Sequence, residues 1–470
     1  MTERQKESPP PLSPSDQMRI TASSLLFSLT RPRVHHDRTM RMSEDSTKLS
    51  TMLHWISNVI SANTAASLSR DAESDRFTFY LCSNSFHEAS MNNNATRLLD
   101  LIRKSLSMAS RGGNLSDLEV EYLSFVSDVC WGGLQNKVNN KVPRFGIVPR
   151  GADVSTMSSV LKTTIEIVES WKAWRFDTGL PEENSLQIMK MKQKLDHTHS
   201  IDTLKHCFEQ AFRPLDDTGD CLKQLRRLWR CCYALLKSDF FIDVFRDNKR
   251  WMDGSEDEMW FLRRVYRRIW RLYSYRRGAD VLLYRGIPHL LSMTQSGCPP
   301  DITICWVPHE SPSTVHMDVP PDQFIFQAGQ RLGWRGDLAQ DSQLTSEARC
   351  LWSVNETRIA HVHPVVSMVT FLYSSRILVM ENRIGTSRRP CTHCVRYTSF
   401  THPSTVCAKT SYKLRADWAI PRTLPVDRDD VQRILTTIRD YAEELACLSL
   451  TPPWYNQGLT RDEAIHETLQ

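Results

Sequence analysis

The chain has 470 residues, of which 40% are hydrophobic and 13 are tryptophan, and its formal net charge is +5. This length exceeds that of one ordinary domain, so two lobes are expected. The small net charge does not indicate a surface that is positively charged overall and binds nucleic acid, although local basic patches could still do so. The first 17 residues are polar and no run approaches the roughly 18 apolar residues that span a bilayer, so the sequence predicts no secretory signal, no membrane segment and an intracellular location in the cytoplasm or nucleus.

The polypeptide divides into four segments by composition and apolar spacing. Residues 1–20 are predicted to be disordered and residues 34–47, which are poor in apolar side chains, to form a loop, so that 1–47 is expected to be a mostly disordered segment. Residues 48–295 place apolar side chains at helical spacing, which predicts a mainly helical domain. Over residues 296–450, β-rich runs alternate with helical segments and predict a three-layer α/β/α domain, and residues 451–470 are predicted to be a flexible tail. The expected fold class is therefore α+β or α/β, with a helical N-terminal lobe followed by a three-layer domain.

An arginine-rich helix is expected to begin near Ser255, because Ser255 and Glu258 fit a capping box. Its apolar positions share one face, and much of the remaining surface is arginine: Arg263, Arg264, Arg267, Arg268 and Arg271. Two interpretations are open. The arginines and the aromatic residues between them can contact phosphates or RNA. Alternatively, they form the solvated, salt-bridged face of an ordinary amphipathic helix.

Several elements of residues 296–450 follow from local patterns. Residues 301–307 are rich in β-branched side chains and predict a strand, and residues 324–326, 376–380 and 412–420 are further strand candidates. Residues 365–372 and 390–399 are predicted helices, and residues 427–446 are predicted to form a closing amphipathic helix.

A candidate metal site follows from one histidine and two of the thirteen cysteines, which in an intracellular chain are mostly reduced thiols. The spacing of Cys391 and Cys394 lets both thiolates face one ion from the first turn of a helix, and Pro390 suits the start of that helix. His363 precedes the other predicted helix. Together they make a three-ligand zinc site with a fourth position for water. The alternative is that the cysteines are small buried apolar groups and His363 is satisfied by hydrogen bonds.

The order of these residues matches the zinc-deaminase signature, H-x-E followed by P-C-x-x-C. The second half is intact from Pro390 to Cys394, but Val365 stands where the glutamate is expected. Zinc activates water, whereas the glutamate carries protons to the ring nitrogen and to the leaving ammonia, a contribution of roughly 10²–10⁴-fold. Valine cannot carry a proton, so the sequence predicts a metal site without its acid/base group.

Three other groups are candidates to replace this carboxylate: Glu381, His361 and His393. Glu381 follows the strand candidate at 376–380 and is expected to lie away from the helix start. His361 is also an alternative ligand, because His361 and His363 can point the same way in an extended segment. That alternative puts His363 two residues after the ligand, so it restores no carboxylate either.

These features resemble the fungal deaminase-like proteins of the cytidine-deaminase-like superfamily. The resemblance covers residues 300–445 and rests on the β-rich run before His363, on the stretch from Ile384 to Cys394, and on residues 418–421; the helical N-terminal half is a looser match. The resemblance implies a mixed sheet between helices, with zinc held by His363, Cys391 and Cys394 where two helix N-termini meet. The glutamate of the family corresponds to Val365, which puts catalysis in doubt.

The sequence therefore favours a catalytically degenerate deaminase-like protein that retains a zinc cage and binds a nucleotide-like ligand, a nucleic acid or a protein partner. One alternative is an active zinc-dependent deaminase of nucleosides or nucleic-acid bases with a substitute proton carrier. A second alternative is a helical scaffold that holds no metal.

Overall fold

The computed structural model describes residues 14–29, 48–61, 63–84, 88–139, 201–217, 219–238, 242, 256–294, 298–331, 351–401, 406–407, 414–421, 433–434 and 436–443. These residues form helices and a mixed β-sheet, as expected for an α+β protein. The chain divides into two compact units, the first drawn from residues 1–99 and 289–470 and the second from residues 100–288. The predicted tail at 451–470 lies outside the described residues.

Five strands form the central sheet of the first unit: β1 (Thr64–Asp71), β2 (Arg76–Ser83), β3 (Asp301–Trp306), β6 (Arg383–Thr386) and β7 (Val406–Cys407). Their order in the sheet is β3-β2-β1-β6-β7. β1 is antiparallel to β2 and β6, whereas β2 with β3 and β6 with β7 are parallel pairs. A separate antiparallel pair consists of β4 (Ser313–Met317) and β5 (Glu356–Ala360).

The helices, in chain order, are α1 (Pro14–Leu29), α2 (Lys48–Ile60), α3 (Glu88–Ser110), α4 (Glu119–Asn139), α5 (Ile201–Phe212), α6 (Cys221–Lys237), α7 (Glu256–Val281), α8 (Ile287–Ser292), α9 (Pro321–Arg331), α10 (Pro364–Ser374) and α11 (Thr392–Thr401). Residues 433–434 and 436–443 are also helical, in the region of the predicted closing helix. In the part of the chain that the structure describes, no helix combines the length and the apolar character needed to cross a lipid bilayer.

Helices α2 and α10 pack on opposite faces of the central sheet. Ile384 of β6 belongs to the same apolar core as Val366 of α10. The next residue, Gly385, lies against α2, where an added Cβ would meet backbone atoms of Leu53 and His54. Because successive strand residues point to opposite faces, these contacts place α2 and α10 on the two sides of β6.

Helix α1 is an unexpected part of the first unit, since it lies within the segment 1–47 predicted to be mostly disordered. Its buried Ile20 joins the core beneath α10. The Gln17 side-chain amide donates a 2.7 Å hydrogen bond to the Trp418 carbonyl, and the Ser24 hydroxyl lies 2.9 Å from Nε2 of His393. The prediction was wrong here because the partners of α1 lie hundreds of residues away; the local signal was the set of apolar residues at Met18, Ile20, Leu25 and Leu26, which are buried. Residues 1–13 and 30–47 lie outside the described residues.

The second unit contains α4 to α7, with α6 packed against α7. The Trp229 indole donates a 3.2 Å hydrogen bond to the Leu272 carbonyl, and the Tyr233 and Tyr273 rings lie 5.7 Å apart. The arginine-rich helix is confirmed as α7, and it continues into a π-helical turn over Leu282–Gly286. Ser255, the expected N-cap, lies outside the described residues.

Two strands fall inside the stretch 48–295 that was predicted to be helical. β1 and β2 pair with each other and, through β3 and β6, with segments more than 200 residues later. Phe77, Phe79 and Leu81 alternate along β2 and are buried, which is strand periodicity that the helical interpretation passed over. The unit boundaries therefore differ from the predicted ones, because residues 48–99 belong with the C-terminal part of the chain.

The C-terminal elements agree with expectation in part. The strand at 301–306 and the helices at 364–374 and 392–401 are confirmed. Residues 324–326 lie in α9 rather than in a strand, and residues 376–380 precede β6 instead of forming it. Of the candidate strand at 412–420, the described residues contribute a single bridge between Trp418 and His361.

Candidate metal centre

His363 occupies the N-cap position of α10, with an extended backbone at φ −69° and ψ 146°. Pro364 follows as the first helical residue, where its fixed φ and missing N–H are suited to a helix start. The His363 carbonyl accepts hydrogen bonds from the Val366 and Ser367 amides at 2.8 and 3.1 Å. The backbone is thus anchored on both sides of the imidazole, which fixes where the side chain leaves the helix end.

The two cysteines lie at the start of α11. Cys391 immediately precedes the helix and its carbonyl accepts a 3.1 Å hydrogen bond from the Val395 amide, while Cys394 is in the first turn. A separation of three residues puts both thiols on one side of the helix. Both are buried, at 3% and 1% exposure. The positive end of the helix dipole and the free amides of the first turn favour thiolates at this position.

The three side chains converge on one point. Nδ1 of His363 lies 3.6 Å from Sγ of Cys391 and 3.3 Å from Sγ of Cys394, and the two sulfur atoms are 3.4 Å apart. A tetrahedral zinc with Zn–N and Zn–S bonds of about 2.0 and 2.3 Å would hold such atoms about 3.5–3.8 Å from one another. The observed separations are close to that range, so the group can hold a metal ion.

Asp417 contacts the ring nitrogen of His363 that faces away from the thiols. Its Oδ1 lies 3.7 Å from Nε2 of His363. This ion-pair contact with His363 is the main reason why the pKa of Asp417 falls to about 2. Metal-binding histidines usually have such a carboxylate on the other nitrogen, where it fixes the orientation and the tautomer of the ring. No local pattern in the sequence predicts this position of Asp417.

Proton positions at the cluster follow from the same contacts. Burial opposes a charged His363, but the ion-pair contact with Asp417 and the hydrogen bond with Cys391 outweigh it and raise the pKa of His363 to about 9. Burial also opposes a charged Cys391, yet its hydrogen bonds with Cys394 and His363 hold the pKa of this thiol well below its usual value. Without metal, the proton therefore lies on the imidazole and Cys391 is a thiolate, the form that binds metals.

His393, between the two cysteines, is packed as a structural residue. Its ring is 1% exposed and lies 5.1 Å from the Trp418 ring, and Nε2 is 2.9 Å from the Ser24 hydroxyl. Burial lowers the pKa of His393 to about 4, so the ring is neutral near pH 7. Among the described residues, Nδ1 of His393 has no hydrogen-bond partner. His393 is therefore not positioned to bind a metal together with His363, Cys391 and Cys394.

The remaining substitutes for a catalytic carboxylate are placed as follows. His361 pairs through its backbone with residues 417 and 419, and it is not a member of the cluster. Glu381 lies 3.7 Å from His289, another residue of the first unit. Val365 is 5% exposed and belongs to the apolar core. A hydrocarbon thus occupies the position two residues after the histidine ligand.

The five arginines of the sequence analysis lie on α7 of the second unit. Arg267 and Arg271 are exposed, whereas Arg263, Arg264 and Arg268 are partly buried. They form a group of their own, in a different unit from the metal cluster.

Long-range pairing explains why Asp417 was missed. Asp417 reaches His363 because the His361 amide donates a 2.7 Å hydrogen bond to the Asp417 carbonyl and the Ala419 amide returns one to His361 at 2.8 Å. The sequence signals available were the two histidines at positions 361 and 363 and the later extended segment that contains Trp418. No family model matches the chain, and the searches of curated proteins and of solved structures give no match.

Proposed function

We propose that the first unit carries a deaminase-like zinc site that has lost its catalytic carboxylate, and that the protein works by binding rather than by turnover. The observation that carries this proposal is the pairing of a converged cluster, His363, Cys391 and Cys394, with a buried Val365 at the acid/base position. The mixed sheet, with a helix on each side of β6 and the ligands at two helix N-termini, adds support.

Zinc is the metal that suits this donor set best. One imidazole nitrogen and two thiolates are borderline-soft ligands, whereas Mg²⁺ and Ca²⁺ require oxygen ligands. Asp417, on Nε2 of His363, would keep Nδ1 available as the ligand atom. When bound, zinc supplies Lewis-acid polarisation at its fourth coordination position.

The chain's own residues supply binding and orientation but not proton transfer at the thiol side of the cluster. Asp417 contacts the nitrogen of His363 that points away from the sulfur atoms, so it orients the ligand instead of reaching a substrate beside the metal. Val365 can neither donate nor accept a proton, and it leaves polar atoms of a substrate unpaired. We therefore infer that a nucleotide-like ligand, a nucleic acid or a protein is bound here without being converted.

Metal analysis of the purified full-length chain tests the cage. We expect about one zinc per chain, lost in Cys391→Ser and kept in Cys298→Ser, because Cys298 is exposed and outside the cluster. Equal zinc content in both variants would contradict the site.

Ammonia release from cytidine, adenosine and single-stranded oligonucleotides tests the loss of turnover. We expect none from the wild-type chain. Release that disappears in Cys391→Ser would instead establish an active enzyme with another proton carrier. A gain of zinc-dependent release in Val365→Glu would show that the rest of the pocket is retained, and no gain would favour the scaffold interpretation.

A further inference from the structure

Four arginines form one continuous face along α7. Arg264, Arg267, Arg268 and Arg271 are spaced at i, i+3, i+4 and i+7, which places them on the same side of a helix. The buried apolar residues Val265, Ile269 and Leu272 occupy a different side. At about 1.5 Å per residue, the four positions span about 10 Å along the helix axis. This linear array of four arginines is called the arginine face below. Its length suits a chain of phosphates better than a single ion.

Arg268 is the member of the arginine face whose charge is least well compensated. Its Nε is buried and has no hydrogen-bond partner among the described residues. Burial, and then repulsion from Arg271, lowers the pKa of Arg268 to about 10. Burial followed by repulsion from Arg267 and Arg271 also lowers the pKa of Arg264. Buried charges in proteins are normally paired, so a guanidinium in this state is suited to an external anion.

Helix α6 strengthens the positive potential around α7, whereas α4 contributes Glu119 as a partner of Arg276, outside the arginine face. Between Arg263 and Val281, α7 carries seven arginines and one aspartate, Asp280, which pairs with Arg276 at 3.1 Å. Helix α6, packed against α7, carries five basic residues and no acidic one. The acidic residues of α7 apart from Asp280 lie in its first turn, at 256–258, more than a turn before Arg264. A concentration of one sign of charge raises the local concentration of a polyanion and steers its approach.

Aromatic side chains flank the arginine face, where Trp270 lies three residues after Arg267. Tyr266 and Trp270 are partly exposed on α7, and the Arg277 guanidinium sits 4.7 Å from the centre of the Trp270 ring. Tyr233 on the neighbouring α6 is 47% exposed and has Lys237 5.7 Å from its ring centre. Basic residues with interleaved aromatics are the combination that holds single strands, through phosphate contacts and base stacking. A membrane surface would instead need an exposed apolar face along the helix, whereas Val265, Ile269 and Leu272 of α7 are buried.

We propose that the arginine face of the second unit binds a single-stranded nucleic acid through its phosphates, with no sequence preference. The interaction is independent of the metal cluster in the first unit. Charge complementarity identifies the occupant: Arg268 and its three neighbours supply the cations, and Trp270, three residues after Arg267, supplies a stacking surface at the edge of the arginine face.

Fluorescence anisotropy with a labelled oligouridylate of about twenty nucleotides tests the proposal on the full-length chain. If four phosphates are neutralised, the logarithm of affinity falls with the logarithm of salt at a slope of about −3, which is about a 50-fold loss between about 50 and 200 mM salt. The double variant Arg264→Gln/Arg268→Gln should bind at least about tenfold more weakly and should reduce the slope by about 1.4. The matched oligodeoxynucleotide should bind with the same slope, since phosphates are common to both.

The control is Arg103→Gln/Arg111→Gln, which removes the same charge from exposed positions of the second unit, in α3 and directly after it, outside the arginine face. Equal losses in the two double variants would overturn the proposal, because they would indicate attraction to the net charge alone. A flat salt dependence would overturn it too, as would binding to vesicles of anionic lipid without binding to the oligonucleotides.

Thermal unfolding gives a readout that does not depend on the ligand. Arg268→Met removes a partly buried guanidinium whose Nε has no hydrogen-bond partner among the described residues, so we expect the unfolding midpoint of the free chain to stay the same or rise, and the stabilisation by added oligouridylate to shrink. A fall in the midpoint of the free chain would show that Arg268 has a structural ion pair and would contradict the proposal.

Discussion

His363 uses its two ring nitrogens for different neighbours. Nδ1 faces the thiols of Cys391 and Cys394 at 3.6 and 3.3 Å, and Nε2 faces Asp417 at 3.7 Å. A histidine satisfied only by ordinary hydrogen bonds has no need of two thiols on one side. The division of roles therefore favours a metal ligand with an orienting carboxylate over a core histidine.

Replacing Asp417 should weaken metal binding without removing a ligand. Asp417→Asn removes the charge that fixes the His363 ring, and losses of this kind lower metal affinity about 10–100-fold. Competition with a chromophoric zinc chelator measures the affinity. The matched control is Glu381→Gln, the same chemical change at a carboxylate that contacts His289 instead. A similar loss in both variants would contradict the role given to Asp417.

The candidate ligands could be predicted from the sequence because each has a local signature. Pro364 follows His363, Pro390 precedes Cys391, and three residues separate the two cysteines, so each helix start can be recognised from its own neighbours. Asp417 could not, since its position depends on the pairing of residues 361 and 417–419. Ser24, which contacts His393, was hidden for the same reason.

At the scale of elements, β6 depends on one residue without a side chain. Gly385 pairs with Ala66 of β1 and lies against α2, and its carbonyl accepts a 3.1 Å hydrogen bond from the Ser57 hydroxyl. A Cβ at this position would lie 2.5 Å from the backbone nitrogen of His54 and closer still to the carbonyl carbon of Leu53. Because these are backbone atoms, they cannot rotate away, and α2 must move.

Gly385→Ala should therefore destabilise the chain by about 1–3 kcal/mol or more, through overpacking between α2 and β6. The control is Gly132→Ala in α4, where no heavy atom lies within 4 Å of the added Cβ. That change should be neutral or stabilise by up to about 1 kcal/mol, because alanine favours helix. Urea unfolding curves compare the two, and equal effects would contradict the close approach of α2 to β6.

The elements that the sequence predicted correctly are those with strong local patterns, such as α10, α11 and β3. The apolar run at 376–380 was assigned to a strand, but Leu378 is 83% exposed and Glu381 has a φ of 50°, so the chain turns there. The strand forms instead at Arg383–Thr386, which is less apolar. The position of the strand is determined by its pairing with β1 and by the space that Gly385 leaves for α2. Neither of these long-range contacts can be recognised from a short stretch of sequence.

At the scale of the whole first unit, Glu443 joins three distant parts of the sequence. It is 2% exposed and forms paired hydrogen bonds with Arg19 at 2.6 and 2.9 Å and with Arg331 at 3.2 and 3.1 Å. One carboxylate thus pairs with two guanidinium groups, from α1 and α9. The burial of the carboxylate makes the contact costly to break from one side.

Glu443→Gln should lower the free energy of unfolding by about 3–5 kcal/mol, because it leaves Arg19 and Arg331 facing each other without a counter-charge. The comparison is Asp301→Asn, which breaks the exposed pair with Arg76 and should cost less than about 1 kcal/mol. Chemical denaturation of both variants gives the difference. Equal small effects would show that Glu443 is not a structural junction.

The first unit is built from two separate parts of the sequence, and this determines the order in which the two units can fold during synthesis. Residues 100–288 form one uninterrupted stretch, so the second unit is complete while the ribosome is still translating the rest. The hairpin of β1 and β2 leaves the exit tunnel early, yet it waits more than 200 residues for β3 and longer for β6. Until then its edges are open to wrong partners. Newly made chains are therefore most in need of chaperones between the emergence of residue 83 and that of residue 386.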